Sequence, residues 1–84
     1  MTNLEQLKTE LYNIAKPLRS SNNHAPSETL IENEIMMINH MRKKSEYGRT
    51  GNQIADYDQQ ILSWKWALSS CKELRREIND IEAA

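Results

Sequence analysis

The chain has little that bends, staples or anchors a polypeptide. Its 84 residues include two glycines, two prolines, one cysteine and no phenylalanine. A single cysteine excludes an internal disulfide framework and every multi-cysteine zinc pattern. So few Gly and Pro exclude collagen-like and Gly/Ser-rich chains. Long hydrophobic runs are absent as well. The longest, Ile35-Met36-Met37-Ile38, falls far short of the roughly 20 apolar residues of a membrane-spanning helix. The opening Met1-Thr2-Asn3-Leu4-Glu5 lacks the basic stretch and apolar run of a secretory signal. Neither sign of charge is in excess. Eleven Lys and Arg stand against twelve Asp and Glu, a net charge of −1, which argues against a general polyanion binder. The expectation is a small, soluble, cytoplasmic helical protein, one domain spanning residues 1–84.

What is present is helical periodicity. Leu4, Leu7, Leu11, Ile14 and Leu18 recur at steps of 3, 4, 3 and 4, which places them on one helical stripe. Thr2 and Glu5 match a capping box, in which each side chain satisfies a free backbone N–H of the other. The spacing predicts helix 1 over residues 3–19, with a kink or an end near Lys16 because Pro17 removes a helical hydrogen bond. Polar, turn-prone residues 20–26 read as a loop, and Ser27 reads as the N-cap of the next helix.

Helix 2 is predicted over 28–46. Leu30, Met37 and Met41 form one apolar row and Ile31, Ile35 and Ile38 another, with Met36 beside them. A face this wide touches two neighbours. Gly48 suits the left-handed position that ends a helix, and Thr50 with Gln53 matches a second capping box. Helix 3 is predicted over 52–82, with a seam of Ile54, Tyr57, Ile61, Trp64, Leu68 and Cys71 continued by Leu74, Ile78 and Ile81. The short turn between helices 2 and 3 makes them antiparallel. The fold class is therefore all-α: a coiled-coil-like helix 2/helix 3 hairpin, with a shorter N-terminal helix packed on it or on a partner. At about 1.5 Å per residue, helix 3 outruns helix 2 by more than three turns. Its last ten or so residues need helix 1, a partner, or neither if they fray.

Catalytic constellations are missing from the pattern. His40 is six residues from both Glu34 and Glu46, where a helical metal site needs spacings of three or four. His24 stands alone in the loop. Cys71 lies on an apolar seam with no base in reach, as a small packed hydrophobe would. Gly48-Arg49-Thr50-Gly51 lacks the preceding strand and the lysine of a phosphate-binding loop. No catalytic, cofactor-binding or metal-binding residue is expected, and no enzyme.

Two features point to binding. Arg42, Lys43, Lys44 and Arg49 cluster around Tyr47, giving residues 41–52 a charge of +3 while the segments on either side each sum to −2. Such a tip suits an acidic protein patch or phosphates, although cations also complement a helix C-terminus with no ligand at all. Trp64 and Trp66 are about 200° apart on a helix. Trp64 belongs to the seam. Trp66 either packs on helix 1, the reading favoured for a three-helix bundle, or stands outward as an interface anchor. The expected function is that of a non-enzymatic regulator, inhibitor or adaptor that binds another protein, comparable in size and class with bacterial and phage-encoded modulators. The contact residues would be Arg42, Lys43, Lys44, Tyr47, Arg49 and Trp66, and a homodimer is compatible. The alternative is a helical nucleic-acid-binding module using the basic tip. It is weakened by Asp56 and Asp58 at the start of helix 3, which would face phosphates unfavourably.

Overall fold

The computed structural model describes residues 3–20, 24–46 and 51–84. Three α-helices and one 3₁₀ turn make up the described fold, with no strand among these residues: α1 (Asn3–Ile14), the 3₁₀ turn (Lys16–Leu18), α2 (Ser27–Ser45) and α3 (Gly51–Ala83). The all-α hairpin architecture expected from the periodicity is present. Both expected capping boxes and the Gly48 helix end fall on Thr2, Gly48 and Thr50, outside the described residues.

Helix 1 ends earlier than its apolar stripe. Pro17 has no N–H to offer the Asn13 carbonyl, and its ring crowds that carbonyl. The chain leaves the α-helix after Ile14 and tightens into the 3₁₀ turn. There the Leu18 N–H donates to Ala15 O at 2.9 Å and the Arg19 N–H to Lys16 O at 3.1 Å. Leu18 still packs against the core cluster, because a turn of 3₁₀ helix carries it to nearly the same side. α3 has no such interruption. No Gly or Pro occurs from Asn52 to Ala84, so its 33 residues run unbroken for about 50 Å.

Ion pairs mark the register. Glu28 meets Arg75, and Arg42 meets Asp58, so α2 runs antiparallel to α3. Lys8 meets Glu82 at 3.3 Å, and Glu10, Asn13 and Ile14 share a cleft with Ser70, Glu73, Leu74 and Glu77. α1 is therefore also antiparallel to α3, on its C-terminal half, and α1 and α2 run parallel to each other. Helix 1 packs in cis and covers the segment of helix 3 that helix 2 does not reach.

The core lies where all three helices meet. Leu11, Ala15, Leu30, Ile31, Cys71 and Ile78 are buried in one cluster, with Leu4, Leu7, Ile14, Trp64, Leu68 and Leu74 packed against it. Further along the hairpin, beyond the reach of α1, apolar burial narrows to Ile38 and Ile61, with the Ser45 side chain buried near the end of α2. The expected Leu30, Met37 and Met41 row of helix 2 is consequently incomplete. Leu30 is buried, but Met37 and Met41 are exposed, as is Met36. At that level α3 covers only one side of α2, and no described helix covers the side that carries the methionines. Ile81, at the far end of the helix 3 seam, is exposed at the mouth of an open cleft between α1 and α3.

Ser27 departs from its expected role as N-cap. Pro26 occupies that position, and no side chain caps α2. Ser27 is instead the first helical residue, buried, and its hydroxyl donates to the Leu11 carbonyl at 2.6 Å. The same oxygen accepts from Arg19 Nη2 at 2.8 Å, while Arg19 Nη1 donates to Ala25 O at 2.9 Å. This clip joins the last turn of α1, the connecting segment and the first turn of α2.

Four substitutions test the arrangement. Ile31→Ala removes a fully buried side chain and should cost about 3 kcal/mol in urea unfolding, whereas Met36→Ala should cost less than about 0.5 kcal/mol. Ser27→Ala removes a buried hydrogen bond to the Leu11 carbonyl and a part-buried one from Arg19 and should cost about 1–3 kcal/mol. Ser27→Asp, which preserves capping ability but cannot donate to a carbonyl, should fail to restore that loss.

Candidate binding surface

The basic tip is less free than its sequence suggests. Arg42 Nε donates to Asp58 Oδ1, and Arg42 Nη1 donates to Glu46 Oε1 at 2.7 Å. One cation of the cluster is thus engaged by two carboxylates, one just past the end of α2 and one on α3. Lys43 and Lys44 are exposed. Tyr47 and Arg49 lie outside the described residues. Met36, Asn39, His40, Arg42, Lys43 and Glu46 line a shallow cleft along the outer side of α2. His40 therefore sits beside an apolar thioether and both signs of charge.

Trp66 is not core. It is 70% exposed, and Leu62, one turn before it, is 57% exposed. Both lie on the side of α3 facing away from buried Cys71, as their spacing from that residue requires. α1 does not shield them, because it lies against residues 70–82 of α3. The face continuing the α1 lane toward the start of α3 carries Asp56, Gln59, Gln60 and Ser63, which share a cleft with Trp64. There the composition turns polar where cover ends. On the back of α3 it does not, and Leu62 with Trp66 remains an unpartnered apolar pair.

The titratable groups reflect packing. Burial pushes the Cys71 thiol up, reinforced by the nearby Glu28 carboxylate, so its nucleophilic thiolate is disfavoured. Arg75 Nε and Nη2 donate to the two Glu28 oxygens at 2.9 and 3.0 Å. These bonds hold the Glu28 carboxyl below its ordinary value, outweighing partial burial, which acts in the opposite direction. Among the described residues, no group of three or more His, Cys, Asp or Glu is placed to hold a metal ion. No described helix is long and apolar enough to cross a membrane.

Sequence reasoning missed the Glu28–Arg75 fork and the Arg19 clip. Their partners are up to 47 residues apart, and no local motif marks them. Comparison with known protein families, with characterised proteins and with solved structures finds no match.

Glu28 gives a pH signature. Its folded-state value lies below the unfolded one, so the stabilisation is complete above the ordinary carboxylate range. It is lost as pH falls through the folded value. Glu28→Gln should lose about 1 kcal/mol near neutral pH, discounted for partial exposure. The gap from the parent chain should close as unfolding is measured toward about pH 3.

Proposed function

We propose that the chain is a non-enzymatic helical protein that binds and modulates another protein, with Leu62 and Trp66 on the back of α3 as the anchors of its contact surface. The observation that carries this reading is the exposure of a tryptophan and a leucine one turn apart on a rigid helix. Large aromatics that stand proud of a fixed frame lose little conformational freedom on binding and dominate interface energetics. Neither side chain contributes to the buried core, so neither is needed to hold the helices together.

The shape supports the same reading. The molecule measures 54 × 25 × 17 Å with a radius of gyration of 15.8 Å, against about 12 Å for a compact chain of this length. Its accessible surface is 6324 Å², whereas a compact protein of its mass exposes about 5,200 Å². The difference, about 1,100 Å², is of the order that one partner contributes to a stable protein–protein interface. The pairing of Arg42 with Asp58 and Glu46 weighs against the nucleic-acid alternative. It leaves Lys43 and Lys44 as the free cations of the described tip, and they suit a charged rim beside an apolar contact.

Affinity capture from the native host, with recovered proteins identified by mass spectrometry, tests the proposal when the parent chain is run beside Trp66→Ala and Leu62→Ser. Both variants should keep the helical circular dichroism and melting temperature of the parent while losing at least about tenfold in partner affinity. Undiminished capture by both variants would place the contact elsewhere. Recovery of nucleic acid that is lost steeply with added salt would replace the reading altogether.

A further inference from the structure

A second surface of different chemistry lies where α1, α2 and the segment between them converge. Lys8, Tyr12, Arg19, His24, Ser27 and Arg75 line a cleft of about 270 Å³. They come from four separate stretches of the chain. No aspartate or glutamate is among the lining residues, in a protein whose net charge is −1.

The three cations are not equally satisfied. Arg75 is held by Glu28 through two bonds, and Lys8 is held loosely by Glu82 at 3.3 Å, with both of those side chains about half exposed. Arg19 has no carboxylate within ion-pair distance among the described residues. Its guanidinium lies 4.2 Å from the centroid of the Tyr12 ring and donates only to neutral oxygens, Ala25 O and Ser27 Oγ. Its Nε is buried with no hydrogen-bond partner. Counting Glu28 and Glu82 against Lys8, Arg19 and Arg75 leaves one positive charge, and Arg19 is its seat.

The backbone adds to this field. α2 is a 19-residue helix whose N-terminus has no side-chain cap, since Ser27 is turned toward Leu11 and Arg19. Pro26 and Ser27, at that N-terminus, form part of the cleft wall. The positive end of the helix, partly answered by the Glu28 carboxylate that accepts a backbone N–H in its first turn, and the Arg19 guanidinium thus act on the same volume, and both favour an anion.

We propose that this cleft binds a phosphate group, either free inorganic phosphate or the phosphate of a monoester. A planar carboxylate is the poorer match. It prefers two parallel donors of one guanidinium, but Arg19 Nε is buried and both Nη atoms are already engaged inward. A tetrahedral oxyanion instead gathers single bonds from several directions. Here those directions are supplied by the remaining N–H groups of Arg19 and Arg75, the Lys8 ammonium and the His24 imidazole. The Tyr12 ring, itself part of the cleft wall, packs against the Arg19 guanidinium. This site is separate from the Leu62–Trp66 face, and either can fail without the other.

The test is a ¹H–¹⁵N NMR titration of the full chain in low-chloride buffer, with inorganic phosphate in one arm, O-phosphoserine in a second and acetate in a third. Saturable shifts in the millimolar range or below are expected for Tyr12, Arg19, Ser27 and Glu28, in either phosphate arm. Tighter binding of O-phosphoserine identifies the monoester as the preferred form, and equal or weaker binding identifies the free ion. Arg19→Gln should weaken binding about tenfold or more. Because Arg19 also holds the connecting segment, Lys8→Gln and His24→Gln are the second test. Both residues are exposed, and neither makes the bonds of the clip, so the fold should persist while affinity falls about two- to fivefold. Failure to saturate, equal shifts with acetate, shifts centred on Lys43 and Lys44, or unchanged affinity in both exposed-residue variants would each overturn the proposal.

Discussion

A helix of 33 residues offers more face than partners of 19 and 12 residues can cover, and this inequality of length governs the rest of the molecule. α3 spans about 50 Å, α2 about 29 Å and α1 about 18 Å. Both shorter helices pack against α3 in the same direction. Where all three coincide, Ile31, Cys71 and Ile78 are sealed from solvent. Where only two coincide, the buried set thins to single residues along each helix. A core confined to one end leaves the other end as an extended hairpin held by Ile38, Ile61 and the Arg42–Asp58 pair.

Two parallel helices cannot be joined by a tight turn. The chain must return from the end of α1 to the level at which α2 begins, and Pro17 starts that return by ending α1 at Ile14. Leu11 and Ser27, 16 residues apart, finish at the same level and are hydrogen-bonded. The returning segment is anchored by one arginine, whose two Nη groups reach Ala25 and Ser27. The device that closes the three-helix end therefore also buries part of a cation without a carboxylate beside it. The fold and the proposed anion cleft have one origin in this connection.

The two proposed surfaces differ in kind. On the back of α3, Leu62 and Trp66 are apolar, exposed and remote from the core. At the junction of α1 and α2 the lining is cationic and set by the clip itself. The ends of α2 are each tied to α3 by an arginine–carboxylate contact, so the frame between these surfaces has a defined register. A change at one surface need not disturb the other unless it breaks the hairpin.

Periodicity determined that the chain is helical and where its three helices lie to within a few residues, and the short turn after helix 2 determined that helices 2 and 3 form an antiparallel hairpin. Spacings of three and four report directly on a single helix, so Leu11, Ile31, Ile61, Cys71 and Ile78 were legible as seam residues. Pro17 and the polar stretch after it were legible as a break for the same local reason. What covers each face was not legible, because cover depends on how far a neighbour reaches. Met37 and Met41 have the pattern of packed residues and Trp66 is expected against helix 1, yet all three are exposed because no described helix covers the sides they occupy. Tertiary structure also decided the use of the polar groups. Ser27 has the look of a cap and serves as a bridge to Leu11, Arg42 is drawn to Asp58 across the hairpin, and Arg19 is left with neutral partners. Hydrogen bonds and ion pairs depend on distances of about 3 Å, and only the packed chain brings residues this far apart in sequence within that range.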